Sequence, residues 1–286
     1  NMKTNEQLID ELIDLAFAED IGDGDHTTLS TIPASAYGKQ QLIIKEEGIL
    51  AGVEVAKRIF ERFDPGLDVE VFIEDGAHVK PGDIAFVVTG SVRSLLQTER
   101  TMLNIMQRMS GIATTTARYQ NELKGLKTRV LDTRKTTPGM RLLEKEAVRL
   151  GGGCNHRIGL FDMVLIKDNH VDFAGGIPQA IASVKEYLRR NHKHLKIEQE
   201  VRNDKEILEA LDAGVDRIML DNFTPERTAK AVVMIRGINP DVEIESSGGI
   251  TIDNLREYGE CGVDFISVGA LTHSVKGLDM SFKAVK

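Results

Sequence analysis

The chain has 286 residues, of which 41% are hydrophobic and 28% are charged, and its formal net charge is −8. This length can bury a large core in one large domain or in two smaller ones, and the negative charge argues against non-specific binding to nucleic acid. No apolar run approaches the roughly 18 residues of a membrane-spanning helix, and we find no signal peptide. Cys154 and Cys261 form no CxxC motif and are too few for a disulfide framework. We therefore expect a cytoplasmic protein without membrane or nucleic-acid partners.

The N-terminal part of the chain predicts one helix followed by a small α+β unit. Residues 4–19 carry leucines at helical spacing, which predicts an amphipathic helix. The segment EDIGDGDHTT that follows is rich in Asp and Gly, so we expect a turn with a helix N-cap. From about Gly38 to Val92, short runs rich in Val, Ile and Phe are broken by turn sequences such as DPG, and VEVAKRIFERF predicts one helix among these strands.

A long helix is predicted from Ser94 to Ser110, continuing through a Thr- and Ala-rich run to Leu123. Its methionines are expected in the core. Arg100 and Arg108 are eight residues apart and therefore lie on roughly one face of this helix. Composition alone favours a solvated face.

From Lys127 onward, strand-like and helix-like runs alternate, which predicts a parallel sheet with right-handed crossovers. The strand-like runs are 128–132, 163–166, 196–201, 216–221, 242–247 and 264–269. The helix-like runs are 139–150, 177–190, 205–213, 225–235 and 252–257. Six strands suit an α/β barrel that is incomplete or has fewer than eight strands, and an open doubly wound sheet is the competing architecture. No GxGxxG or GxxxxGK[ST] motif follows the first of these strands, which lowers the odds of a dinucleotide site or a P-loop.

Each of these predicted strands ends in polar residues or glycine. The residues at these ends are Asp132-Thr133-Arg134-Lys135, Lys167-Asp168-Asn169-His170, Glu198 and Glu200, Asp221-Asn222, Ser246-Ser247-Gly248-Gly249, and Gly269-Ala270. In a βα barrel the active site lies at the carboxyl ends of the strands. Together, six such ends predict one site at this edge, with Glu198 and Glu200 on the same face of a strand.

Between Asp132 and His170 the chain gathers cations in loop-like contexts. They are Arg134, Lys135, His156, Arg157 and Lys167. A local run of cations in an acidic protein predicts a pocket for an anion. Guanidinium forks suit carboxylates, and a histidine can donate a further hydrogen bond. Cys154, within the same stretch, is expected to pack as a small apolar residue.

Two further groups of residues suggest how a phosphorylated ligand is held. Glu200 and Asp221 offer hard oxygen ligands of the kind that suits Mg²⁺ bound jointly with substrate phosphates. General acid or base catalysis, or ion pairing with a lysine, are the alternatives for this pair. The turn SSGG and Gly269 expose backbone N–H groups that can bind phosphate, although an ordinary βα turn has the same composition.

Several long motifs occur in an order that resembles one enzyme family. DTRKTTPGMR, GGGCNHRIGL, LIKDNH, LDNF and SSGGI…ISVGALTH are similar to motifs of the quinolinate phosphoribosyltransferases, and EDIGDGDHTT and ERTMLNIMQRMSGIAT extend the likeness upstream. The resemblance implies an α/β plus α+β fold. In it, an N-terminal α/β sandwich domain, residues 1–112 joined by the tail 276–286, precedes an incomplete (open) α/β barrel, residues 113–275.

The resemblance also implies a reaction and a set of site residues. Quinolinate and phosphoribosyl pyrophosphate would give nicotinate mononucleotide, pyrophosphate and CO₂ in de novo NAD biosynthesis, with Mg²⁺, in a homodimer or a larger oligomer. The residues expected to bind quinolinate are Arg134, Thr133, His156, Arg157, Lys167 and, from the partner subunit across a dimer interface, Arg100. Those expected to bind phosphoribosyl pyrophosphate are Ser247, Gly248, Gly249, Gly269, Ala270 and His273. Lys135, Glu200 and Asp221 would be catalytic, with Glu200 and Asp221 also near the metal.

Other functions stay open at this point. A related transferase could act on another carboxylated base, but His156 and Arg157 beside Arg134 favour a dicarboxylate. A barrel that only binds phosphorylated metabolites would not need both Glu200 and Asp221. A phosphosugar isomerase would not need so many cations.

Overall fold

Twelve strands and eleven helices occur along the chain, and the computed structural model describes all 286 residues. The strands are β1 (Tyr37–Ile44), β2 (Gly48–Ile49), β3 (Asp68–Val71), β4 (His78–Val79), β5 (Ile84–Ser91), β6 (Arg129–Leu131), β7 (Val164–Ile166), β8 (Ile197–Val201), β9 (Arg217–Asp221), β10 (Glu243–Ser247), β11 (Phe265–Ser267) and β12 (Met280–Ala284). The helices are α1 (Asn5–Ile21), α2 (His26–Thr31), α3 (Val53–Phe63), α4 (Val92–Glu122), α5 (Arg141–Leu150), α6 (Asp168–Ala174), α7 (Ile177–Arg190), α8 (Asp204–Ala213), α9 (Pro225–Ile238), α10 (Leu255–Glu260) and α11 (Ala270–His273).

These elements form two compact units. Unit 1 comprises Asn1–Ala117, Thr136–Gly152 and Ala270–Lys286, and unit 2 comprises Arg118–Lys135 and Gly153–Gly269. None of the helices combines the length and the apolar composition that crossing a membrane would take.

Unit 1 is built on a four-stranded antiparallel sheet with the order β12-β1-β5-β3. The last strand of the chain, β12, pairs with β1 from Gln40↔Ala284 to Ile44↔Met280. The C-terminal tail therefore returns to the unit 1 sheet as its edge strand.

Three buried phenylalanines pack α3 on this sheet. Phe60 of α3 lies 6.1 Å from Phe86 of β5 and 5.9 Å from Phe282 of β12, measured between ring centroids. The helix faces the sheet this way because Val53, Ala56, Ile59 and Phe60, which recur with helical spacing, are its buried residues. Burying one such side chain stabilises the fold by roughly 1.5–3 kcal/mol. Helix-on-sheet packing of this kind confirms the expected N-terminal α/β sandwich.

The predicted long helix is α4, a single helix of 31 residues. Met102, Met106 and Met109 are buried in it, as predicted. Arg108 does not lie on a solvated face. Its Nε donates to the fully buried Glu144 of α5 at 3.2 Å, and its Nη2 donates to the carbonyl of Thr272 at 2.6 Å.

Unit 2 is built on a six-stranded parallel sheet with the order β6-β11-β10-β9-β8-β7. From β7 to β11 each strand lies beside its predecessor, and β6 then pairs with β11. The chain thus crosses the sheet in one direction, whereas a doubly wound sheet reverses its order at a switch point. The sheet does not close, since β6 and β7 remain its two edges. This is the predicted incomplete barrel, and the doubly wound alternative is wrong.

Besides the four-residue α11, two short helices, α2 and α6, were not predicted. Asp25 caps α2 by accepting a hydrogen bond from the Thr28 amide at 3.1 Å, so the expected N-cap is present but a helix follows it. Directly after β7, α6 begins at Asp168, where the sequence suggests only a polar strand end. Both helices are short and polar, so neither shows an apolar periodicity.

Candidate active site

The carboxyl ends of β8, β9 and β10 bring acidic side chains and a glycine-rich turn to one edge of the unit 2 sheet. Asp221 pairs in register with Ser247, and Glu200 pairs with Met219, two residues before Asp221. Because parallel strands end at the same edge, Glu200, Asp221 and Ser247 lie together. The predicted grouping of these strand ends is therefore present within unit 2.

Glu200 and Asp221 are the edge pair, and both are partly exposed. Burial raises the pKa of Glu200, and the charges of Asp221 and Asp168 add to the rise, while Lys167 opposes it. Burial and the charge of Asp168 likewise raise the pKa of Asp221, against the hydrogen bond from Asn222. Like charges that repel one another at a partly exposed edge favour a bound cation. Asp168 thus belongs with the pair, and its only sequence signal is its place just after β7.

The cations of unit 2 also act on one another. Burial lowers the pKa of Arg157, and the charge of Arg134 lowers it further. Arg134, Lys135 and Lys167 are exposed, and the Lys135 amide donates to Thr133 Oγ1 at 3.0 Å, which shapes the turn after β6. Two guanidinium groups that repel each other favour a bound anion between them or beside them.

Two buried or half-buried aspartates hold the loop that carries His156 and Arg157. Asp132, at the end of β6, is fully buried and accepts hydrogen bonds from the His156 amide at 2.7 Å and from Asn155 Nδ2 at 2.6 Å. Asp162 accepts from the amides of Ile158 at 2.8 Å and Gly159 at 2.9 Å. Sequence reasoning placed Asp132 among the polar strand ends but did not assign it this positioning contact.

His156 points into a buried charged cluster inside the open barrel. Its Nε2 lies 2.8 Å from Glu198 Oε1 and 3.0 Å from Glu245 Oε1, and both carboxylates are fully buried. Arg217 lies 3.6 Å from Glu245 and 3.3 Å from the half-buried Glu243. Glu198 and Glu245 are the buried pair. Barrel interiors are usually filled by branched apolar side chains, so a charged cluster in this position is unusual for a barrel.

Protonation of the buried cluster is coupled to the loop. Burial lowers the pKa of His156, but the hydrogen bonds that it donates to Glu198 and Glu245 outweigh this effect and raise that pKa to about 9. Burial and the Glu245 charge raise the pKa of Glu198 to about 8. Burial opposes ionisation of Glu245, yet His156 holds the pKa of Glu245 below its usual value. The Arg157 amide lies 2.7 Å from Nδ1 of the same imidazole, so a change in the protonation of His156 acts directly on the loop.

A metal ion does not suit the buried cluster, although the ligand atoms of His156, Glu198 and Glu245 lie within 4.8 Å of one another. Ligands bound tetrahedrally at about 2.0–2.1 Å are roughly 3.3 Å apart. The separations of 2.8 and 3.0 Å are instead those of hydrogen bonds. The edge pair offers the hard oxygen donors that fit Mg²⁺, but it forms no group of three such ligands by itself.

The turn after β10 has the backbone form expected for anion binding. Gly248 and Gly249 have φ angles of +95° and +65°, which glycine adopts without strain. Successive amides in such a turn can point towards one anion. We call residues Ser247, Gly248 and Gly249 the glycine turn.

The remaining predicted site residues belong to unit 1. Ala270 and His273 lie on the short helix α11, where His273 Nδ1 is 2.5 Å from Ser274 Oγ. Arg100 is exposed on α4.

The fold is that of an open α/β barrel whose sheet edge carries the edge pair and the glycine turn. A family model described as the N-terminal domain of quinolinate phosphoribosyl transferase matches residues 25–110, and one described as its C-terminal domain matches residues 112–283. The chain therefore belongs to the quinolinate phosphoribosyltransferase family.

Relatives and solved structures agree with this assignment. The chloroplastic nicotinate-nucleotide pyrophosphorylase (carboxylating) of Arabidopsis thaliana is 45% identical over 285 residues, covering 95% of this chain and 81% of that protein. A probable nicotinate-nucleotide pyrophosphorylase (carboxylating) of Synechocystis is 41% identical, covering 98% and 93%. The structure of nicotinate-nucleotide pyrophosphorylase from Francisella tularensis superimposes with a TM-score of 0.91 at 39% identity, covering 99% of this chain and 98% of that one.

Proposed function

We propose that this protein transfers the phosphoribosyl group of phosphoribosyl pyrophosphate to quinolinate, releasing pyrophosphate and CO₂ and forming nicotinate mononucleotide for de novo NAD biosynthesis. The observation that carries the proposal is the layout of charge in unit 2. Arg134 and Arg157 repel each other, while the edge pair lies beside the glycine turn. A dicarboxylate would bind to the two arginines, a sugar would lie beside the edge pair, and a phosphate would bind at the glycine turn.

The chemistry of the reaction matches these residue types. The ring nitrogen of quinolinate attacks C1 of the ribose as pyrophosphate leaves, so positive charge develops on the sugar. The carboxylates of Glu200 and Asp221 stabilise that charge. Once alkylated, the ring nitrogen is cationic and stabilises the carbanion left by loss of the adjacent carboxylate as CO₂. The carbanion then takes a proton from solvent, so the protein needs to position the substrates rather than supply a strong base.

The site residues divide by ligand. For quinolinate we propose Thr133, Arg134, His156, Arg157 and Lys167, with Arg100 from a partner subunit. For phosphoribosyl pyrophosphate we propose Ser247, Gly248, Gly249, Gly269, Ala270 and His273, with Lys135 facing the departing pyrophosphate.

We propose Mg²⁺ as the cofactor, held by Glu200 and Asp221 together with substrate phosphates. The raised pKa values of both carboxylates support this, because a cation would relieve their repulsion. When bound, Mg²⁺ would offset the charge of the departing pyrophosphate.

The decisive assay is incubation with quinolinate, phosphoribosyl pyrophosphate and Mg²⁺, with detection of CO₂ and nicotinate mononucleotide. EDTA should abolish turnover and added Mg²⁺ should restore it. Absence of product would reject the function. Equal turnover with nicotinate would favour the related transferase for another carboxylated base. In Arg157→Met, the KM for quinolinate should rise about 100-fold, and Arg189→Met, which removes an exposed arginine of α7, is the matched control.

We propose a homodimer in which Arg100 of each subunit completes the site of the other, because Arg100 is exposed on α4 and matches a family motif. Mixing Arg100→Ala and Glu200→Gln subunits should restore activity, since half the dimers formed are mixed and each holds one intact site, giving about a quarter of the wild-type activity. Mixing Glu200→Gln with Asp221→Asn should restore none. If the first mixture also stays inactive, the shared site is wrong.

We also propose the domain division at residues 112 and 113, which is supported by family models that meet between residues 110 and 112. Limited proteolysis near that position tests it. A cytoplasmic location is supported by two free cysteines. Imaging of a tagged chain would distinguish it from an organelle location such as that of the Arabidopsis relative.

A further inference from the structure

Two residues other than glycine have a positive φ angle: His192 at +52° and Asn222 at +55°. Side chains with a Cβ adopt this left-handed conformation at a cost in free energy, which asparagine tolerates better than most. His192 follows α7, where the amide of the next residue, Lys193, bonds back to the Leu188 carbonyl at 2.9 Å, as at many helix ends. Asn222 ends no helix. It follows β9 directly, beside the edge pair.

Asn222 contacts both neighbouring groups of the site. Its amide N–H donates to the Ser247 carbonyl at 3.0 Å, and its Nδ2 donates to Asp221 Oδ1 at 3.3 Å. Its side-chain amide also lies against the Cα of Gly248, so closely that a Cβ added there would clash with Oδ1 of Asn222. One strained residue therefore bonds to a carboxylate of the edge pair and packs on the glycine turn.

We propose that Asn222 is a positioning residue that fixes the glycine turn relative to Asp221, so that the phosphate and the ribose of one ligand are bound in a single geometry. This proposal rests on the proposed function for the identity of the ligand. Gly248 and Gly249 have no side chains of their own, and the turn is free to change shape unless something packs against it. The Asn222 amide supplies that contact, and the left-handed conformation is what turns it back onto Gly248. Strain retained where a ligand is held is a frequent mark of function.

Three variants separate these contributions. Asn222→Gly keeps the backbone conformation and removes both amide contacts. Asn222→Asp keeps the oxygen against Gly248 but replaces the donor to Asp221 with a repelling carboxylate. His192→Gly is the matched control, because it relieves the same strain at an exposed position remote from the sheet edge.

The experiment measures kcat, the KM for each substrate, the melting temperature, and the affinity for ribose 5-phosphate by calorimetry. For Asn222→Gly we expect the KM for phosphoribosyl pyrophosphate to rise about 10-fold and ribose 5-phosphate to bind about 10-fold more weakly, the loss expected from a hydrogen bond and its packing. The KM for quinolinate and the melting temperature should stay unchanged. For Asn222→Asp we expect a fall in kcat with a smaller change in KM. His192→Gly should match the wild type in every kinetic value.

Two results would overturn the proposal. One is an unchanged KM for phosphoribosyl pyrophosphate with unchanged ribose 5-phosphate binding in Asn222→Gly. The other is an equal rise in both KM values with a lower melting temperature, which would indicate a merely structural residue. If the wild type shows no turnover, the proposed function fails, and the calorimetric comparison of wild type with Asn222→Gly still decides the role of Asn222.

Discussion

The edge pair and the buried pair each consist of two carboxylates on the strands of one sheet, yet they have opposite surroundings. Glu198 and Glu200 are two residues apart on β8 and share one face. Glu198 is fully buried, with Glu245 and cationic groups around it, whereas Glu200 is partly exposed among like charges. Over two residues, the strand thus passes from a buried carboxylate held by partners to a partly exposed one whose pKa is raised despite the nearby charge of Lys167.

The different surroundings of the two pairs indicate different roles. The buried pair has cationic partners, as buried charges require, so it supports structure and the orientation of His156. In the edge pair, burial and the repulsion between like charges outweigh the nearby cations Lys167 and Arg202, and such a pair is suited to bind a cation or to stabilise a developing positive charge. Substitutions in the edge pair should therefore lower activity, and substitutions in the buried pair should lower stability.

The largest effect is expected at the edge pair. Glu200→Gln should lower kcat by about 10²–10³-fold, the range for removal of one electrostatic stabiliser of a transition state. Because burial and the charges of Asp221 and Asp168 raise the pKa of Glu200, the ionised carboxylate is unfavourable in the fold, and the free energy of unfolding at pH 8 should not fall. Steady-state kinetics and urea unfolding measure the two effects. Glu209→Gln on α8 is the control, and a kcat within threefold of wild type in Glu200→Gln would contradict the assignment.

The next effect is expected at the buried pair. Glu245→Gln removes one member of a buried charged cluster and leaves His156 and Arg217 without it, so the free energy of unfolding should fall by about 3 kcal/mol. Urea unfolding measures this loss. Glu260→Gln, which breaks an exposed pair with Arg256, should cost less than 1 kcal/mol by the usual value for surface pairs. Equal losses in the two variants would show that burial does not distinguish these carboxylates.

A smaller effect should appear in the pH dependence of stability. His156 has a folded-state pKa raised from 6.5 to about 9, so its contribution to stability is complete below about pH 6.5 and is lost as the pH rises through 9. The raised pKa of Glu198, about 8, acts in the same direction over its own range. The free energy of unfolding should therefore fall between pH 7 and about pH 9.5.

Glu245→Gln should reduce this slope, because His156 loses one of the carboxylates that raise its pKa. Imidazole NMR titration of His156 in both proteins measures the cause directly. A pKa near 6.5 in the wild type would contradict the inferred coupling, whatever the slope.

Most of the fold and part of the site could be predicted from sequence. The six parallel strands and the polar ends that carry Arg134, Glu200 and Asp221 are visible because apolar runs are local and stop abruptly. The same-face relation of Glu198 and Glu200 also follows from the period of a strand.

The burial of each side chain could not be predicted in this way. It depends on which strands pair and in what register, and the pairing of Glu198 with Arg217 across β8 and β9 exists only in the folded sheet. Glu245 was for the same reason not singled out, and the strain at Asn222 has no signal in the sequence beyond its place after a strand.

The smallest effect tests how the burial of a glutamate along a single strand changes its contribution to stability. Glu243 lies two residues before Glu245 on β10, is about one-third exposed, and pairs with Arg217 at 3.3 Å and with the exposed Lys196 at 3.4 Å. Solvent screens much of the attraction between Glu243 and its cationic partners. Glu243→Gln should therefore lower the free energy of unfolding by about 0.5–1 kcal/mol, near the value for exposed pairs. Lys196→Met is the control, because it removes only the exposed contact between Lys196 and Glu243, and it should lower the free energy of unfolding by less than Glu243→Gln does. Arg217 is the partner that the two glutamates share. If Glu243→Gln lowers the free energy of unfolding as much as Glu245→Gln does, the contact with Arg217, and not burial, determines how much the buried cluster stabilises the fold.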